Sequence, residues 1–141
     1  FYSVRNGLEA TREGGIVAIH DAVRPIISNQ LITRSFKQAE TDGNAVTVIP
    51  SKDSVRQVVG NISIALNRND IYLVQTPQTF KNDLLKKAYE QPYEIGFTDD
   101  ASVAEKYGIQ IKFISGDIQN IKITHPEDML IAKLFLINRL Q

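Results

Sequence analysis

The chain has 141 residues, 43% hydrophobic and 23% charged, the make-up of an ordinary globular protein with a core of its own. Its 16 basic and 16 acidic residues cancel, which argues against a broad nucleic-acid surface and leaves room only for a local cationic pocket. The absence of cysteine excludes disulfides, thiolate metal sites and thiol catalysis, and with no signal peptide and no membrane-length apolar run a cytoplasmic domain with no membrane partner is expected.

The chain opens on Phe1, in mid-pattern and without Met, and so reads as a fragment. Val4, Leu8 and Thr11 share one helical face, and Gly14-Gly15 is expected to end that helix. Residues 16–20 read as a short strand, apolar on both faces as central parallel strands are. Ser28 can cap a helix with Leu31, Ile32, Ser35, Phe36 and Ala39 inward and Gly43 as its stop. A second buried strand follows at 45–50. Residues 54–59 and 62–67 flank Gly60-Asn61, the signal of a hairpin. Its strands carry Arg56 and are too polar for a central sheet. A lone two-stranded ribbon is marginal, so a second copy of the chain is the economical packing partner.

Residues 71–80 (IYLVQTPQTF) read as a strand running into a proline-containing loop. NDLLKKAY is a short helix with Leu84, Leu85 and Ala88 inward. TDDASVAEKYG is a helix with Thr98 at its cap, Asp99 and Asp100 in the first turn and Gly108 past its end. IQIKFI (109–114) and IQNIKI (118–123) read as strands joined by a turn at 115–117. Thr124 and Glu127 have capping-box spacing at the start of a C-terminal helix, with Pro126 in its first turn. Alternating strands and helices in one domain imply an α/β sheet with helices on its faces.

Ligands of such sheets gather beyond the carboxyl ends of the parallel strands. Asp21, just past the first strand, suits a hard cation such as Mg²⁺; as a turn former it equally caps its loop or pairs with Arg24. Arg24 has the planar fork for a carboxylate or phosphate, but pairing with Asp21 gives it a structural role. Lys122, between Ile121 and Ile123, reads as an outer-face residue, and Arg68 as a surface charge. Thr76 and Thr98 offer hydroxyls, and Thr98 also a helix N-terminus, to an anion, although capping alone explains Thr98. His20 and His125 lack metal-ligand spacing, and no G-x-S-x-G, Walker or G-x-G-x-x-G motif is present.

The ordered motifs HDAVRP, IPSKDSV, LNRND, QTPQTF, TDDAS and NIKITHPEDM resemble those of the 2-C-methyl-D-erythritol 4-phosphate cytidylyltransferase family. The resemblance covers nearly the whole chain. It implies the C-terminal part of a Rossmann-like nucleotide-diphosphosugar transferase fold over residues 1–141: an α/β domain with a mainly parallel sheet, helices on both faces and a protruding β-hairpin arm at about 51–68. Ribitol-5-phosphate cytidylyltransferases share much of the set, but TDDAS and THPEDM look more like the methylerythritol enzymes. The implied reaction joins CTP to a sugar-alcohol phosphate, with Mg²⁺ as cofactor and pyrophosphate as the second product.

By the same resemblance Asp21 binds the metal, and Ser3 and Ala22 lie beside the nucleotide. Arg68 and Lys122 are the catalytic pair that positions the acceptor phosphate, while Ser54, Thr76 and Thr98 line the acceptor pocket. The hairpin implies a homodimer in which Arg68 and Ser54 serve the partner's site. The family's glycine-rich N-terminal loop, with its arginine and lysine, has no counterpart in these residues. A fragment inactive by itself, or serving only for dimerisation, is therefore the alternative.

Overall fold

The computed structural model describes residues 1–139. At its centre runs β5 (Tyr72–Lys81), hydrogen-bonded on one side to β1 (Ile16–Ile19) and on the other to β2 (Asn44–Pro50), with β6 (Phe113–Ser115) beyond β2. β5 is antiparallel to both neighbours, whereas β2 and β6 are parallel. Thus β1, β2 and β6 share one direction and β5 opposes them. Helices cover both faces. On one, Ala39 of α2 (Asn29–Asp42) packs with Ala45, Ile114 and Ile16. On the other, Val46, Val48 and Phe80 pack with Leu8 of α1 (Tyr2–Glu9), Leu85 of α3 (Asn82–Tyr89) and Val103 of α4 (Asp100–Lys106). Neighbouring residues of β2 thus feed opposite cores, as the two-residue period of a strand demands.

Several elements differ from the sequence expectation, each for a local reason. The apolar run of β1 reports that both its faces are covered. It says nothing of its neighbour's direction, and β1 is a half-buried strand at the end of the sheet order, antiparallel to β5. α1 stops at Glu9, before Gly14-Gly15. Pro77 does not end β5. Val46 pairs with Gln78 and Val48 with Val74, so residues 75–77 bulge opposite Thr47, whose hydroxyl donates to the Pro77 carbonyl at 2.6 Å. A bulge is where a sheet tolerates proline and re-aims side chains.

The expected strand at 118–123 does not form, and β6 is shorter than the 109–114 expected. After β6 the chain lies irregularly across β5. The Gln75 amide donates to the Asp117 carbonyl at 2.9 Å, and the fully buried Asn120 donates to the Thr76 carbonyl at 2.7 Å. Side chains of β5 and the loop thus take over work that a strand ladder would do. The descent begins at Gly116, where a Cβ would lie 2.8 Å from Thr47 Cγ2 and closer still to Gln75 Oε1.

Two helix starts also shift. Asp99, not Thr98, caps α4, accepting from the Ser102 amide at 2.8 Å in a closed capping box. At α5 (Pro126–Arg139) Asp128, rather than Glu127, accepts from the amides of Thr124 and His125. At α4 the Asp99 carboxylate is a stronger acceptor for such free amides than the Thr98 hydroxyl. By contrast α2 has the expected Ser28 and Gly43 caps.

The hairpin forms as a sheet of its own, β3 (Val55–Val59) against β4 (Ile62–Leu66), turning at Gly60 with φ +58°. Val58, Val59, Ile62 and Ile64 are all exposed on it. Among the described residues no helix is long and apolar enough to cross a membrane.

Candidate functional site

A cleft of about 490 Å³ opens at the carboxyl end of β1, with Asp21, Arg24 and Lys122 on one wall and Thr98, Asp99 and Asp100 on the other. Thr76 and Gln78 of β5 also line it, between the two walls in the fold. Its apolar lining includes an aromatic cluster: Phe1 stacks on Tyr89 at 4.9 Å and on Phe97 at 5.7 Å.

The first wall is built around Asp21. Its Oδ2 accepts from Arg24 Nε at 3.1 Å and pairs with Lys122 Nζ at 3.2 Å. Partial burial raises this carboxyl, but the bonds and charges of Arg24 and Lys122 outweigh burial and hold it below the usual carboxylate range. Thr76 Oγ1 accepts from the Asp21 amide at 3.0 Å. With the neutral His20 ring protonated on Nε2, Thr76 donates to His20 Nδ1 at 3.0 Å and His20 donates to the Arg24 carbonyl at 3.0 Å. Arg24 Nη1 donates to the Asn120 carbonyl at 2.8 Å, tying this turn to the irregular segment that carries Lys122. Lys122 therefore reaches the site from a coil held down by Gln75 and Asn120, not from the end of a strand.

Among the described residues, no cationic side chain is bonded to the carboxyls of the second wall, and only the charge of the chain's amino group acts favourably on Asp100. Asp100 is 8% exposed, and Tyr89 donates its phenol proton to Asp100 Oδ1 at 2.5 Å. Burial, with the nearby Asp99 charge, pushes the Asp100 carboxyl up against the opposing effect of the Tyr89 bond. Burial and the Asp100 carboxylate push the Tyr89 phenol well above its ordinary value. Gln78, 1% exposed, donates to Asp99 Oδ2 at 3.1 Å and accepts the Ala101 amide at 2.7 Å. Since Asp99 takes the Ser102 amide, these first-turn amides of α4 are already satisfied by protein groups. An anion near Thr98 meets its hydroxyl rather than a free helix N-terminus.

Of the residues singled out in the sequence, Asp21, Thr76, Thr98 and Lys122 share this cleft. Ser3 in α1 and Ala22 beside Asp21 are exposed and outside its lining. Ser54 and Arg68 flank the two ends of the hairpin, also outside the lining, and Arg68 Nη1 donates to the Lys52 carbonyl at 3.2 Å. Sequence reading missed Gln78 and Tyr89 and gave Asp100 no role beyond helix electrostatics. Gln78 stands among Gln75, Thr76 and Thr79, so no alternation of polar and apolar residues marked it out.

A cation fits Asp21 only on particular terms. Oδ2 is engaged by Arg24 and Lys122, and no group of three metal-ligating side chains occurs among the described residues. A hard ion that takes one carboxylate oxygen here and its other ligands from substrate phosphates and water suits this donor set; an ion needing an all-protein cage does not.

Comparison with known proteins gives a concordant result. A profile of the 2-C-methyl-D-erythritol 4-phosphate cytidylyltransferase family matches residues 2–138. Proteins of that name from Bacteroides fragilis and Porphyromonas gingivalis are 45% and 44% identical to 96% of the chain. The chain spans 62% of the length of each of these relatives. Among solved structures, the Thermus thermophilus protein of that name superposes with a TM-score of 0.81 at 31% identity, covering 95% of this chain and 67% of that one. The 4-diphosphocytidyl-2C-methyl-D-erythritol synthase of Anaerococcus prevotii gives 0.85 at 30%, covering 95% and 62%.

Proposed function

The chain belongs to the 2-C-methyl-D-erythritol 4-phosphate cytidylyltransferase family, and from that membership we propose that the protein transfers a cytidylyl group from CTP to 2-C-methyl-D-erythritol 4-phosphate in non-mevalonate isoprenoid biosynthesis. An oxygen of the acceptor phosphate forms a bond to the α-phosphorus of CTP. The bond from that phosphorus to the β-phosphate bridging oxygen breaks, releasing pyrophosphate and leaving CDP-methylerythritol. The observation that carries this reading is the convergence of Asp21, Thr76, Thr98 and Lys122 on one cleft.

Two anions must meet, so the barrier is repulsion and alignment more than proton transfer. The acceptor phosphate is largely a dianion near neutral pH and needs no strong base. Positioning alone supplies roughly 7–11 kcal/mol in favourable cases. Lys122 contacts Asp21 at 3.2 Å, and its ammonium carries further protons to donate to the acceptor phosphate. Thr98, and Thr76 through its hold on the Asp21 amide, fix the acceptor and the wall it lies against. Asp21 is the residue that would hold Mg²⁺, which when bound neutralises charge on the triphosphate and stabilises the transition state. Ser3 and Ala22 lie on the nucleotide's side.

Arg68 and Ser54 complete the acceptor site of a second copy. Support comes from their place outside this subunit's cleft, at the root of a hairpin whose apolar side chains are exposed. A homodimer joined through that arm brings Arg68 to the partner's Lys122 region and gives the ribbon its packing surface. A cytoplasmic location goes with a CTP-consuming reaction. The test is pyrophosphate release by the complete protein with CTP, Mg²⁺ and either acceptor. Turnover of methylerythritol phosphate is expected; turnover of ribitol 5-phosphate alone would reassign the acceptor.

A further inference from the structure

The two walls of the cleft are held by one strand. Thr76 lies in the bulge of β5 and Gln78 just past it, and both line the cleft. Thr76 Oγ1 holds the Asp21 amide at 3.0 Å. Gln78 holds the opposite wall by two bonds of opposite polarity: its Nε2 donates to Asp99 Oδ2 at 3.1 Å and its Oε1 accepts from the Ala101 amide at 2.7 Å.

From Asp99 the bonds continue outward to Thr98. Asp99 Oδ1 accepts the Ser102 amide at 2.8 Å, and Ser102 Oγ in turn accepts the Thr98 amide at 3.0 Å. The Tyr89 bond to Asp100 adds a second tie from α3, but none of its atoms reaches Thr98. Burial makes these bonds consequential. At 1% exposure Gln78 has almost no access to water that could replace a lost partner. The position also demands an amide: a carboxylate could accept from Ala101 but would face Asp99 charge to charge, and an apolar side chain of equal size could do neither.

We propose that Gln78 is a positioning residue that fixes Thr98 relative to Asp21, and thereby governs acceptor binding without touching the nucleotide. The inference rests on the reading of Thr98 as an acceptor contact. Its signature is bond polarity. In Gln78→Glu the carboxylate at 78 meets the Asp99 carboxylate. In Asp99→Asn two amide donors face each other. In the double variant the new carboxylate accepts from the new amide and still accepts from Ala101, while the oxygen of the new amide still caps Ser102. Every bond is restored with one of them reversed.

The experiment is a double-mutant cycle in the complete protein, read by the KM of each substrate, by kcat and by hydrogen exchange at the Ala101 amide. Each single variant is expected to raise the acceptor KM by about tenfold or more, the effect of leaving buried polar groups unpaired, while the CTP KM stays within about twofold. The double variant should recover most of that loss, with coupling at least as large as either single effect. Equal changes in both KM values, a fall in kcat alone, or a double variant no better than its parents despite native circular dichroism would overturn the proposal. If the unaltered protein turned over no acceptor, the proposed function would fall. Ala101 exchange would still decide the role of Gln78: fast in both singles and slow in the double upholds the polarity-matched clamp, and the same rate in all four proteins refutes it.

Discussion

The two walls of the cleft present the same side chain in opposite conditions. Asp21 sits between Arg24 and Lys122 and is held below the usual carboxylate range. Asp100, across the cleft and 8% exposed, accepts from the Tyr89 hydroxyl and from its own backbone amide, yet burial pushes it up. The fold thus keeps one carboxylate charged where the proposed phosphate chemistry needs a charge to be arranged. It gives the other a neighbourhood that favours the proton. The lesson concerns placement: Asp21 projects from the end of a strand into a cationic turn, whereas Asp100 enters the first turn of a helix packed against α3.

Breaking the cationic wall should have the largest effect. Lys122→Ala in the complete protein is expected to lower kcat/KM for the acceptor by about 10²–10³-fold, the usual loss when one preorganised charge-stabilising donor is removed; steady-state pyrophosphate release measures it. Next comes the proposed sharing of that wall between subunits. Mixing an Arg68→Ala protein with an Asp21→Ala protein makes heterodimers with one intact site of two. With random exchange, activity should return to about a quarter of the unaltered protein's, as the symmetry of a two-fold assembly requires. No recovery despite proven exchange would refute sharing of Arg68 between subunits.

Gly116→Ala tests how the Lys122 segment is held down. The new methyl would lie 2.8 Å from Thr47 Cγ2 and closer still to Gln75 Oε1, so a loss of about 1–3 kcal/mol in urea unfolding is expected, the common cost of overpacking. The smallest effect belongs to the second wall. A carboxyl raised in the folded state contributes stability that is fully present below its unfolded value and lost as pH rises through the folded one. Asp100→Asn should therefore flatten the decline in thermal midpoint as pH rises above the ordinary aspartate value, and leave the midpoint slightly higher at the upper end of that rise. Asp21 has the reverse sign: its contribution is present above the unfolded value and disappears on acidification through the folded one.

Legibility in the sequence followed the range of the forces involved. Ser28 and Gly43 frame α2 as expected because a cap is decided within four residues, and Gly60 turns the hairpin for the same reason. The irregular path of residues 116–123 was hidden because it depends on Gln75, more than forty residues away in sequence, and on the close approach at Gly116. Pro77 misled in the same manner, since only the register of β2 shows that a bulge accommodates it. In the cleft, Asp21 could be picked out as the residue just past a strand. Gln78 could not, because its importance lies in partners from another element, Asp99 and Ala101.

Carbon-13 NMR titration of the aspartate side-chain carboxyls in the complete protein probes the contrast between the walls most directly. Asp21 should titrate below, and Asp100 above, the ordinary aspartate value, and Lys122→Ala should move Asp21 upward while leaving Asp100 in place. Coincident titration of the two at the ordinary value, or an Asp21 indifferent to the loss of Lys122, would contradict the division of charge on which the proposed chemistry stands.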